Sequence, residues 1–127
     1  MKSSTPEAAN AAPSASARLK IVMKPDIAIG PGKADVLEGI KETGSIAATG
    51  RRLGMSYKRA WMLVETMNGC FKEPLVSASR GGSARGGATL TPSGELVLRT
   101  YRRMERLTQQ AIADDMDTLR ALLVDRG

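Results

Sequence analysis

Histidine is missing altogether from the 127 residues. The chain thus lacks the commonest metal ligand and the commonest general base, which excludes zinc sites and histidine-dependent triads. A single cysteine, Cys70, leaves no internal disulfide. Beside Phe71 it reads as a small buried hydrophobe. No apolar run approaches the roughly 18 to 20 residues that a membrane span needs, and the N-terminus lacks the apolar region of a secretory signal. A cytoplasmic protein with no membrane partner is expected. The glycine-rich GGSARGG lacks the GxxxxGK[ST] pattern and lies between two strand-like runs, so it is not a phosphate-binding loop. No motif pairs a nucleophile with a base, and no enzyme, metal or cofactor is expected.

What the chain does have is positive charge: a formal net charge of +6 and a pI near 9.9. Residues 1 to 17 are neutral and residues 110 to 127 are acidic, with Asp114, Asp115, Asp117 and Asp125 against Arg120 and Arg126. The excess therefore lies in the middle of the chain, where it points to a polyanionic partner. The length fits one domain with one modest core.

The first 17 residues, rich in Ala, Ser and Pro, read as a disordered tail. Alternating Leu19, Ile21 and Met23 predict a short strand, which Pro25 would place at a sheet edge. Val36, Leu37 and Ile40 predict a first helix of about three turns, opened by Pro31 and stopped by Gly44. Ser45 caps a short second helix with Ile46, Ala47 and Leu53 on its apolar side, ended by Gly54. Ser56 caps a third, from Tyr57 to about Phe71, burying Ala60, Val64, Met67 and Phe71, with Trp61 in the core and Leu63 widening the stripe. Residues 75–91 read as a hairpin with a basic, glycine-rich tip. Thr91, Pro92 and Glu95 open a last helical pattern reaching about Val124. Its stripe is Val97, Tyr101, Met104, Thr108, Ile112, Met116, Leu119 and Leu123. A helix that long on so small a domain needs a partner, and a second copy is the simplest one.

Two short helices joined through a glycine turn, GSIAATGRRLGMSYKRAWMLVETMN from Gly44 to Asn68, have helix-turn-helix spacing. Gly50 sits where the helices must approach closely. The second helix begins with Ser56, Tyr57, Lys58 and Arg59, which in this motif point at base edges and phosphates in the major groove. Ser56 is first a cap and second a DNA contact. Tyr57 either packs over the turn or touches phosphate. Arg51 and Arg52 either clamp the DNA backbone or steady their own helix's C-terminus. Arg80 and Arg85, at the hairpin tip, reach toward a minor groove or simply sit in a flexible loop. The fold class that follows is mainly α with a small β-hairpin wing: a winged helix-turn-helix over 18–91, with a long dimerisation helix over 92–127.

The run VLEGIKETGSIAATGRRLGMSYKRAWMLVETMNGCFKEPLV, then a Gly-rich tip and ATLTPSGELVLRTYRRME, resembles the DNA-binding domain of the ModE-type molybdate-responsive transcription regulators. The resemblance runs from about residue 18 to residue 107; a weaker one links the chain to LysR-type DNA-binding domains. It implies a winged helix-turn-helix dimer, joined by the helix after the wing, on palindromic operators of double-stranded DNA. Full-length members continue into a molybdate-binding region, whereas this sequence ends with ADDMDTLRALLVDRG, so molybdate binding is not expected of this chain. The function expected is sequence-specific transcription regulation as a homodimer. The rival is a winged-helix interaction or architectural module, which has no need of arginines and lysines on DNA-facing elements.

Overall fold

The computed structural model describes residues 17–79 and 87–124. Apart from Ala17, the expected disordered tail lies outside them, as do Arg80 and Arg85. Strands β1 (Ile21–Lys24) and β2 (Ile27–Ile29) open the fold as an antiparallel hairpin, with Ile21 opposite Ile29. This corrects the single edge strand expected from the alternation. Pro25 and Asp26 occupy the turn itself, where proline's preset φ suits a reversal, and the chain pairs with its own return.

Helix α1 (Pro31–Thr43) starts with its proline in the first turn and ends at Gly44, whose φ of 72° a side chain would strain. It is the central element of the core, burying Ala34, Val36, Leu37, Gly39 and Ile40. Helix α2 (Ile46–Leu53) buries Ile46, Thr49 and Gly50, whereas Ala47, expected on the apolar side, is only half-buried. Thr49 reaches the core because Gly39 leaves room for it: a Cβ there would stand 2.6 Å from Thr49 Cγ2. The Thr49 hydroxyl donates to the Ser45 carbonyl at 2.8 Å, so this fully buried polar group is satisfied.

Helix α3 (Tyr57–Cys70) buries Ala60, Val64 and Met67 at the expected spacing. Phe71 caps its end and is half-buried, and Cys70 is half-buried rather than enclosed. Trp61 is 43% exposed, against the expectation that it fills the core. The reason is helical phase: Ala60, Val64 and Met67 hold the buried face, and Trp61 stands about 100° around the helix from Ala60.

Strands β3 (Val76–Ser79) and β4 (Gly87–Leu90) pair antiparallel as the two sides of the wing. Thr91 then caps helix α4 (Pro92–Ala111), its hydroxyl accepting from the Gly94 N–H at 3.0 Å. Leu98 and Tyr101 of α4 lie in the core with α1. The first half of the last helix is therefore part of the winged domain as well as its extension. The Tyr101 hydroxyl and the Gln109 amide donate to the carbonyls of Leu19 and Ala17, tying the start of the described chain to α4.

The helix expected to reach Val124 is interrupted at Ile112 (φ −105°, ψ 7°), and α5 (Ala113–Ala121) follows. Asp114 and Asp115 in the first turn of α5 favour a helix N-terminus there. None of the residues of α5 is buried, so packing within the described chain does little to hold one continuous rod.

Candidate nucleic-acid interface

The α2–α3 unit is built from local signals. Ser45 Oγ accepts from the Ala48 N–H at 2.9 Å, which starts α2. Gly54, at φ 71°, closes it, and the Met55 N–H returns to the Gly50 carbonyl at 2.8 Å. A Cβ on Gly50 would lie 3.0 Å from the Met55 carbonyl oxygen and 3.6 Å from the Ala60 methyl, so this glycine permits the close crossing of the two helices. Ser56 Oγ then accepts from the Arg59 N–H at 3.1 Å and starts α3. Its cap role is thus filled, with the hydroxyl proton still available to an acceptor.

Opposite the buried Ala60, Val64 and Met67, α3 presents a continuous exposed face. Tyr57 (56% exposed), Lys58 and Arg59 begin it, and Trp61, Met62, Glu65 and Thr66 extend it by two turns. Lys58, Met62, Glu65 and Gly69 share one line at i, i+4, i+7 and i+11. Ser56, Lys58, Arg59, Met62 and Thr66 line one shallow trough. Arg59 also borders a neighbouring cleft with Lys20 and Lys33, so positive charge continues from α3 toward the N-terminal hairpin. Met62, Glu65, Thr66, Lys20 and Lys33 escaped the sequence reading. For the first three, the period that marks the buried stripe also marks its opposite face; the two lysines join only through the tertiary fold.

Among the described residues, Arg51, Lys58 and Arg59 take part in no ion pair, whereas Arg52 pairs with Glu42 of α1. Arg51 and Arg52 both lie exposed in the last turn of α2. The structure thus brings Ser56, Tyr57, Lys58 and Arg59 together on one helix start and leaves Arg52 engaged by an internal carboxylate.

The wing is anchored to this helix by Asn68. Its Oδ1 accepts from the N–H groups of Leu75 (2.8 Å) and Val76 (3.1 Å), and its Nδ2 donates to the Val76 carbonyl at 3.1 Å. A second anchor is the Ala88 N–H donating to the Gly44 carbonyl at 2.9 Å. Thr91 closes the base, donating to the Pro74 carbonyl at 2.7 Å. Wing, turn and α3 are therefore held in one frame. Among the described residues no cluster of three His, Cys, Asp or Glu side chains could hold a metal ion, and no helix is long and apolar enough to cross a membrane.

No protein-family model matches the chain. It is 44% identical over 77 residues to the molybdenum-pterin-binding protein MopB of Rhodobacter capsulatus, covering 61% of this chain and 28% of that one. To the transcriptional regulator ModE of Yersinia pestis it is 36% identical over 96 residues, covering 73% and 36%. The chain thus spans about a third of the length of the curated relatives it matches. Among solved structures it superposes on the CbnR DNA-binding domain in complex with DNA with a TM-score of 0.56 at 22% identity, covering 69% of this chain and 95% of that one. That likeness establishes the winged helix-turn-helix fold.

Proposed function

The chain is homologous over its winged helix-turn-helix to the molybdenum-related ModE and Mop proteins, and from this premise we propose that it is a sequence-specific, DNA-binding transcription regulator. In this reading it is a cytoplasmic homodimer, not an enzyme, and acts in molybdate-related gene control. The observation that carries the reading is the start of α3: a capped helix N-terminus whose Lys58 and Arg59 are exposed and unpaired among the described residues. Helix dipole and side-chain cations both favour phosphate there, and a helix is the element that fits the major groove.

Lys58 and the line Met62–Glu65 face the base edges. Glu65 suits a cytosine amino group, and Met62 suits a thymine methyl. Arg59, at the edge nearer Lys20 and Lys33, and Arg51 hold the DNA backbone, with Ser56 and Tyr57 donating hydroxyls beside them. Arg52 trades its bond to Glu42 for phosphate or stays as a helix strut. Arg80 and Arg85 supply the wing's contact with the adjacent minor groove. Two copies joined through α4 place their recognition helices about one duplex turn, roughly 34 Å, apart.

The test is binding of the purified chain to its own upstream DNA against random duplex across a salt series, with and without molybdate. Preference for the upstream DNA at every salt concentration is the expected result. Equal binding to all duplexes with a steep salt slope would leave an architectural module in its place. A shift of the specific isotherm by molybdate would locate an effector site on this chain.

A further inference from the structure

The basic cleft beside α3 reaches into parts of the fold that lie outside the helix-turn-helix. It measures about 480 Å³ and is walled by the turn of the N-terminal hairpin, the first turn of α1 and one flank of α3. Arg59 and Leu63 line it, and the same two residues line the trough on the exposed face of α3. The two depressions thus share a wall. When α3 enters a major groove, the cleft comes to the sugar-phosphate strand at that groove's edge.

Three cations from three separate places in the chain line the cleft. Lys20 stands just ahead of β1, Lys33 in the first turn of α1, and Arg59 in the first turn of α3. None of them takes part in an ion pair among the described residues. Lys33 Nζ donates to the Ala28 carbonyl at 2.9 Å, which fixes the side chain and leaves two of the ammonium's three N–H groups for a ligand. Lys20 passes beside the start of α1, where a Cβ on Gly30 would lie 3.9 Å from its Cα.

Against these cations the described lining sets one carboxylate, Asp26. The first turn of α1 holds no acidic residue either. Like charges gathered on one cleft repel, and an anion from outside offsets that repulsion. The approach is open, because a Cβ on Gly32 would meet nothing within 4 Å.

Resting on the reading of α3 as the DNA-facing helix, we propose that this cleft is a seat for the DNA sugar-phosphate backbone. Lys20, Lys33 and the first turn of α1 grip the strand bordering the groove that α3 enters. The N-terminal hairpin and α1 then add affinity and fix register without adding sequence choice, because a phosphate carries no base identity.

Binding of the full chain to its own upstream DNA and to random duplex, across a salt series, tests this in three variants. Lys20→Ala should weaken both duplexes by the same factor, about eight-fold at 0.1 M salt for each copy bound, and should lower the slope of log K against log salt by about 0.9 per copy. Gly32→Glu puts a carboxylate at the seat and should weaken both duplexes at least as much. Its thermal midpoint should nevertheless hold or rise, since glutamate is the better helix former and suits a helix N-terminus. A purely structural role would move binding and stability in the same direction. Lys24→Ala, which removes an exposed lysine of β1 outside the cleft, should leave the slope unchanged. Unaltered affinity and slope in both Lys20→Ala and Gly32→Glu would overturn the seat while leaving α3 as the DNA reader. A loss confined to the upstream duplex, or an equal fall in slope in Lys24→Ala, would overturn it as well. A parent chain that binds neither duplex would remove both readings.

Discussion

Tyr101 joins three parts of the molecule at once. Its ring is 2% exposed in the core, and its hydroxyl closes a 2.6 Å bond to the Leu19 carbonyl, 82 residues earlier in the chain. Burial, and then the nearby charge of Glu105, raise its pKa above the ordinary 10.0. The sign follows: the phenol's stabilising contribution is complete below that ordinary value and is lost as pH rises through the raised one. Tyr101→Phe should cost about 1 kcal/mol at neutral pH, the usual net worth of a hydrogen bond. It should also flatten the alkaline fall in stability, read as the urea midpoint between pH 9 and 11.5. Parallel midpoint curves for the two proteins would show that the hydroxyl adds nothing. Spacing alone placed Tyr101 on the buried stripe. It was silent on Leu19, because a helical period names the face a residue lies on and not the strand that will meet it.

The elements whose ends are set by local chemistry were legible in the chain: Ser45, Ser56 and Thr91 cap, and Gly44 and Gly54 stop, as expected. What escaped depended on neighbours. Trp61 left the core because the winged domain packs on the Ala60, Val64 and Met67 face of the helix, and the first strand found its pair across Pro25. Of the candidate site, the α3 start was readable, whereas its continuation through Met62 and its basic flank at Lys20 and Lys33 needed the fold. The same distinction bears on the wing, whose position relative to α3 rests on the three hydrogen bonds of Asn68. Asn68→Ala would leave the Leu75 and Val76 amides without their acceptor and should destabilise the domain by about 2 to 3 kcal/mol. Hydrogen exchange should localise the loss to β3. Asn68→Asp keeps the acceptor but sets a carboxylate oxygen against the Val76 carbonyl, so it should recover only part of the protection. Uniform loss across all helices in Asn68→Ala would mean that the side chain supports the whole core rather than the wing.

If the chain acts as the proposed dimer on DNA, what matters is how rigidly α4 is joined to the winged domain that carries α3. Two struts connect α1 to α4. Lys41 meets Glu95 at 2.8 Å, and the Arg102 guanidinium bridges Asp35 at 2.9 Å and Glu38 at 2.7 Å while also holding Glu105 at 3.0 Å. Burial opposes the charge on Arg102, but its hydrogen bonds to Asp35, Glu105 and Glu38 outweigh that and raise its pKa, so the guanidinium stays charged at every working pH. Its partners are half-buried and still reached by solvent, which limits the stability at stake in Arg102→Met to about 1 to 2 kcal/mol. The larger effect should fall on binding. When one half of a dimer is docked, the second recognition helix finds its half-site at an effective concentration set by the stiffness of the connection. A looser joint lowers that concentration without touching any base contact. Arg102→Met should therefore weaken binding to a two-half-site operator about ten-fold, while affinity for a single half-site stays within about two-fold. Arg59→Ala should weaken both, because it removes a contact made at each half-site. Fluorescence anisotropy with the two duplexes at one salt concentration separates the cases. An equal loss on both duplexes in Arg102→Met would place its effect inside the winged domain rather than in the joint.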